Sequence, residues 1–589
     1  MKNFILKILC VLLALAISLF AFTACSSKQN EEDVSSNPAS SDISSEEPST
    51  QTEEPSSEPE DTADEESYGD DSYGEDDWTE DFEAEEGVYY EPLKVNNQKY
   101  VNDRFMGIGF IHQMFSYQND KSGRVYNDYQ RELELETMKK MNIKTIRAYY
   151  GADYSWDPVT HTRNFESEEM LGFYKACKAM ESIGVEVGLT AQWSLRHFLN
   201  GSAQYDNMGQ FSLSGLVTDD FDETCKNYRQ FMRDTVLALK AHGVNNVKYF
   251  FAYTECHNTF NDGKDINGNP TNSDQEDYEF EKLFPIYDKA ITSLHNGLID
   301  AGLRDSYKIV GPCDNWVRSW SEVGYSPLVK YTIDELSDVV DIIGTHNDYA
   351  EGKDLADDVF YDIPQERQEW TYNEARKAGK PHWIDEFNVR SLANSHVASA
   401  AERRAYADNP IRGVAAGAMV NGLLNYGYAD NVFLWSLYDE QWPDNTTGGI
   451  GSEFDNGVQL CGYLPCLFET SRPYKAWYAM SLMTRYIGSG KIYECEVAYG
   501  LYISAIERDD GEITLLVTNY NMEDTPAEIS FAKSVGGKNF YRYRYNNAEI
   551  KSAQGNEMIK ADAVAEKVTD RFYDTIPAYS VTVYSTQKN

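Results

Sequence analysis

Eight short runs of apolar, β-prone residues recur along the second residue hundred and beyond. Each ends in polar or aromatic side chains and gives way to a longer stretch of helical periodicity. The runs are FMGIGFIHQ (105–113), IKTIRAYYG (143–151), VEVGLTAQW (185–193), VKYFFAYTE (247–255), YKIVGPCDN (307–315), DIIGTHNDY (341–349), HWIDEFN (382–388) and VFLWSLYDE (432–440). Between them, YQRELELETMKKMN, EEMLGFYKACKAMESIG and NYRQFMRDTVLALKAHG repeat apolar residues at three- and four-residue steps, and several end in Gly. A closing helix, RPYKAWYAMSLMTRYIG, follows the eighth run. Strands that alternate with helices pair in parallel, and eight such units predict a (β/α)8 TIM barrel. A doubly wound open sheet is the alternative, but no run leads into a Gly-rich dinucleotide turn.

A barrel of this kind carries its chemistry where the strand C-termini meet the following loops. The polar residues that close the eight runs therefore converge on one mouth. After residue 488 the pattern becomes two-residue alternation with the turn Asp509-Asp510-Gly511, which predicts a small antiparallel β-sandwich domain. The expected organisation is a signal over 1–24, a disordered stalk over 25–87, the barrel over 88–488 and the β-domain over 489–589.

The front of the chain has Lys2 and Lys7, an apolar core and small residues at a cut site, as an export signal does. Phe22-Thr23-Ala24-Cys25 resembles a bacterial lipoprotein box, and that resemblance implies a lipid on Cys25 and a cell-surface location. Residues 26–87 hold 24 acidic residues against one Lys, about half of the chain's net charge of −44. So little apolar surface and so much like charge favour an extended stalk. The acidity also argues against a nucleic-acid partner. Of nine Cys, seven lie in the globular part, none with zinc spacing, and Cys461 with Cys466 could close a small loop.

The segment KPHWIDEFNV sets Asp385 and Glu386 side by side at the end of the seventh strand. A buried carboxylate is unfavourable unless paired or used. Strict strand alternation lets only one of the two face the mouth, leaving the other to brace a neighbouring loop or helix. The fourth strand ends in FFAYTECHN, with Glu255 at its C-terminus. Glutamates at the ends of strands four and seven resemble those of clan A of the glycoside hydrolases, the retaining (β/α)8 glycosidases, over residues 100 to 490. The resemblance implies Glu255 as acid/base and Glu386 as nucleophile. It also implies that Arg147, His346 and Tyr349 orient the nucleophile or the sugar, and that Trp435 forms a floor for a sugar ring. Thr254 stands where that clan usually has Asn. Gln192 and Trp193 on strand three, with His112 and Gln113 on strand one, are weaker candidates for sugar contacts. Trp156, Trp316, Trp320 and Trp442 fall in the loops, in keeping with an aromatic-lined groove for a sugar chain.

The stretch 261–274 loosely resembles a calcium loop but lacks the first ligand and the bidentate Glu, and it reads as a polar lid. With no H-x-H or H-E-x-x-H pairing, no metal and no cofactor is expected. These features predict a monomeric, surface-anchored glycosidase that cleaves β-linked glycans with retention. A non-catalytic glycan-binding lipoprotein is the second reading, and the third, a peptidase or amidohydrolase, lacks a nucleophile–base motif.

Overall fold

The computed structural model describes residues 82–112, 128–190, 215–252 without 217 and 219, 280–314, 325–348, 362–389, 405–441 without 406 and 427, 454–455, 458–459, 462–465, 473–546 without 497 and 499, and 557–588. All of these fall in one compact unit, Gly74–Asn589.

A first strand, β1 (Glu91–Phe105), precedes the barrel. The barrel strands are β2 (Ile108–His112), β3 (Thr145–Tyr149), β4 (Glu186–Thr190), β5 (Val247–Phe251), β6 (Lys308–Asp314), β7 (Ile342–Asp348), β8 (His382–Asn388) and β9 (Asn431–Leu434). They close on one another in chain order, with β9 returning to β2, and every pair is parallel. Each is followed by a helix: α1 (Asp128–Lys140), α2 (Glu168–Ser182), α3 (Phe221–Ala241), α4 (Phe280–Asp300), α5 (Pro327–Glu335), α6 (Asp362–Lys377), α7 (Ile411–Asn425) and α8 (Lys475–Tyr486). The chain is thus a TIM barrel; seven of the eight predicted runs contain their barrel strand, and the eighth overlaps one that starts a residue earlier, at Asn431.

Local chemistry sets the helix ends. Ser167, Asp220 and Ser326 accept backbone N–H groups at the starts of α2, α3 and α5, satisfying donors that a helix leaves open. Gly184 and Gly243 take the left-handed conformation, at φ +77° and +65°, just past α2 and α3.

The second domain is a nine-stranded, mostly antiparallel sheet. It contains β10 (Gly490–Glu496), β11 (Leu501–Arg508), β12 (Ile513–Asn519), β13 (Thr525–Phe531), β14 (Lys538–Asn546), β15 (Ala563–Val568), β16 (Arg571–Ile576) and β17 (Ser580–Ser585). The sheet also takes in β1, antiparallel to β10 and parallel to β13. This corrects the expected barrel span of 88–488, because 91–105 belongs to the β-domain although it comes before the barrel. Phe82 corrects the expected stalk in the same way. It is buried in the β-domain core with its ring 5.9 Å from that of Phe572, since one aromatic side chain among acids still gains by leaving water.

The strands β11, β12 and β17 of this sheet are buried on both faces. In β11, Leu501, Ile503 and Ala505 enter the domain's own core, while Tyr502 and Ile506 pack with the barrel. Helix α7 makes this contact close, because it presents Gly417 to the sheet. A Cβ there would stand 2.7 Å from Thr518 Oγ1 and 2.7 Å from Val581 Cγ2. Asn421 donates to Thr518 Oγ1 at 3.0 Å and Asn425 to the Ile503 carbonyl at 2.7 Å, so the helix is also tied by hydrogen bonds.

Candidate active site

The barrel lumen is filled by Ile111, Tyr149, Tyr249, Phe251, Val310, Cys313, Ile342, Trp383, Phe433 and Trp435. Their alternation with outward residues identifies which side chains can rise into the mouth. On β3, Ile146 and Ala148 face the helices, so Arg147 turns inward. On β7, Ile342 faces the lumen and Ile343 the helices, so the inward parity of that strand reaches His346.

The seventh strand breaks this rule. Trp383 faces the lumen and Ile384 the helices, so strict alternation would turn Asp385 in and Glu386 out. Register shifts instead interrupt the pairing between Ile384 and Glu386 against β7, and between Ile384 and Phe387 against β9. A bulge inserts one residue and re-aims the side chains beside it. As a result both carboxylates face inward and Phe387 packs on the helix side. The expectation that one of the two acids turns away from the lumen is therefore corrected.

Arg147 organises the cluster. Its Nη1 stands 3.3 Å from Asp385 Oδ2 and 3.4 Å from Glu386 Oε2, and it donates to the Asp385 carbonyl at 2.9 Å. Its Nε donates to Thr190 Oγ1 at 3.0 Å, and the guanidinium lies 4.9 Å from the centre of the Phe251 ring. Burial alone would lower the Arg147 pKa, but the charges around it, led by Asp385, more than offset that and hold it raised. His346 Nε2 lies 3.8 Å from Asp385 Oδ2, 3.7 Å from Glu386 Oε2 and 3.5 Å from Arg147 Nη1. Arg147, His346 and Asp385 are wholly inaccessible, whereas Glu386 keeps 5% of its surface. Of this group, Glu386 is the carboxylate that retains contact with the mouth.

The predicted residues divide as follows. Arg147, His346 and Glu386 come together. Trp435 joins the lumen aromatics and is 6% exposed. His112 turns the other way, its Nε2 standing 2.6 Å from Glu134 Oε1 of α1, so it faces the helix layer. Trp156 lies half-buried under the Arg163 guanidinium, 5.4 Å above the ring. Gln113, Gln192, Trp193, Thr254, Glu255, Tyr349, Trp316, Trp320, Trp442, Cys25, the Cys461–Cys466 pair and the 261–274 loop lie outside the described residues. Cys177, Cys225, Cys313 and Cys495 are not in disulfides. Sequence reasoning missed Thr190 and Phe251, which hold Arg147. The signal was available, since each is the last residue of its strand and shares the inward parity.

The sequence matches no protein-family profile and no curated protein. Solved structures do match. A glycoside hydrolase family 30 subfamily 8 xylanase from Clostridium acetobutylicum aligns at 14% identity and a TM-score of 0.52, over 84% of this chain and 99% of that one. A GH30 endoxylanase from Clostridium papyrosolvens aligns at 13% and 0.51, over 84% and 99%. A GH39 enzyme from Xanthomonas axonopodis pv. citri aligns at 11% and 0.50, over 85% and 97%. At these identities the likeness is one of fold: a TIM barrel with an attached β-domain, in structures that are named as glycoside hydrolases.

Proposed function

We propose that this chain is a retaining glycoside hydrolase that acts on β-linked poly- or oligosaccharides at the outer surface of a bacterial cell, tethered through a lipid on Cys25. The observation that carries the reading is Glu386. It is a carboxylate at the end of the seventh barrel strand, beside a buried arginine and histidine and open to the mouth. The fold shared with family 30 xylanases supports the same class of chemistry.

In this reading Glu386 attacks the anomeric carbon while the glycosidic C–O bond breaks. Glu255 gives its proton to the departing oxygen. Glu255 then takes a proton from water, whose oxygen attacks the same carbon, and the Glu386 carboxylate is released. Arg147 and His346 hold the nucleophile in place. On β5, Tyr249 and Phe251 face the lumen, and Glu255 keeps their odd-numbered parity in the sequence.

The test is hydrolysis of plant and fungal β-glycans by the purified protein, with the first-formed product anomer read by NMR. A β-anomer is expected. An α-anomer would mean inversion and would remove Glu386 as a nucleophile. Glycan binding without release of reducing ends would favour a surface binding protein on the same fold.

A further inference from the structure

Asp385 has no part in the two-carboxylate mechanism, yet it lies buried against the same guanidinium as Glu386. Its side chain is wholly buried, and among the described residues neither carboxylate oxygen accepts a hydrogen bond. Room for it is made by Gly344 on β7, where a Cβ would stand 3.3 Å from Asp385 Cγ and 2.9 Å from Val310 Cγ1. A buried carboxylate beside a cation but without a hydrogen bond from the described residues is an unfavourable arrangement, which a fold keeps only if it is useful or compensated.

The cation is shared. Among the described residues, the charged and titratable groups around the pair are Arg147 and Tyr149 of β3, Cys313 of β6 and His346 of β7. β4 adds the Thr190 hydroxyl and β5 the Phe251 ring. One guanidinium nitrogen therefore faces two carboxylates, at nearly equal distance. An arginine paired with Glu386 alone would stabilise its ionised form strongly and make it a weak base. A weak base is a poor nucleophile.

We propose that Asp385 is a positioning residue that acts through Arg147, drawing on its charge so that the Glu386 carboxylate stays basic enough to attack a sugar. The proposal rests on the reading of Glu386 as nucleophile. The bulge serves it twice, turning both acids inward and offering the Asp385 carbonyl to the same Nη1.

The experiment is a carboxyl ¹³C NMR titration of Glu386 in the full chain, assigned by its loss in E386Q. Wild type is compared with the neutral variants D385N and D385S and with the charge-keeping D385E. The Glu386 midpoint should fall by about one pH unit in D385N and D385S, the size expected for removing one charge a few ångströms away. It should stay near wild type in D385E. The first-order rate of covalent trapping by an activated 2-deoxy-2-fluoro glycoside should fall in D385N by about tenfold, with the concentration dependence unchanged. A midpoint that stays put in both neutral variants overturns the proposal. A midpoint that falls in a protein showing neither trapping nor turnover supports the charge sharing and counts against the glycosidase reading.

Discussion

Asp385 and Glu386, adjacent in the chain, both turn their carboxylates to Nη1 of Arg147, at 3.3 and 3.4 Å. In a regular strand they would lie on opposite faces of the sheet. One bulge thus converts a sequence pair into a spatial pair, and it makes a single buried guanidinium responsible for two buried acids.

Removing that guanidinium should be severe. Arg147→Met would leave Asp385 and Glu386 facing each other in the lumen without that guanidinium. Breaking a buried pair by deleting one partner destabilises a fold by about 3–5 kcal/mol. Urea denaturation should show a loss of that size for R147M. The double variant R147M/D385N should recover part of it, because one of the uncompensated charges is gone. A double variant no more stable than R147M would show that the ion pair is not what stabilises this region.

The two glutamates should separate by leaving group. Glu386→Ala should abolish turnover of every substrate, since no covalent intermediate can form. Glu255→Ala should spare aryl glycosides with good leaving groups, which need little protonation. Added azide should give a β-glycosyl azide with E255A and an α-glycosyl azide with E386A, as product NMR would resolve. Equal losses on activated and natural substrates in both variants would contradict these roles.

Much of this organisation was legible in the sequence because it depends on period. All eight barrel strands came from short β-prone runs between helical stretches, whereas Arg147 and His346 were named through the resemblance to clan A glycoside hydrolases and not from the strand pattern by itself. Non-local pairing was not legible. Nothing in residues 91–105 says that they join strands hundreds of positions away, and Phe82 sits in a stretch whose composition is that of a stalk. The bulge at Asp385 escaped for a different reason. Period-2 reasoning assumes an unbroken register, and a one-residue insertion is a property of pairing with β7 and β9. His112 was misplaced by the same kind of shortfall, since proximity to a strand end says nothing of which face a side chain takes.

The interface between barrel and β-domain should be sensitive to a single methyl-sized change. Gly417 lets α7 approach the sheet, and a branched side chain there would meet Thr518 Oγ1 and Val581 Cγ2 well inside contact distance. Overpacking of this sort destabilises by about 1–3 kcal/mol. G417V should therefore lower the urea midpoint without altering the affinity of the mouth for glycans, which lies on another part of the barrel. G417V with the additional change Val581→Ala should regain stability, because Val581 Cγ2 is one of the two atoms in the way. A G417V midpoint equal to wild type would mean that α7 is not held tightly against the sheet.

His382 gives a stability signature on the acid side. It faces out of the barrel from β8, wholly buried, with Nε2 2.9 Å from Thr345 Oγ1 and its ring 6.5 Å from that of Tyr372 on α6. Burial penalises its charged form and takes its pKa from the ordinary 6.5 down to about 3. Above pH 6.5 it is neutral whether the chain is folded or not, and it has no effect on stability. Between pH 6.5 and 3 the unfolded chain takes up a proton that the folded chain refuses, so stability falls as pH falls. Once the unfolded histidine is fully protonated, the loss is about 1.4 kcal/mol per pH unit. His382→Gln removes this titration, so its stability should be less steep in pH by that amount below about pH 5.5. The check is urea denaturation of both proteins across pH 4.5 to 7.5. The difference between them should be constant above pH 7 and should close steadily below 6, and parallel curves over the whole range would show that His382 is not held neutral by the fold.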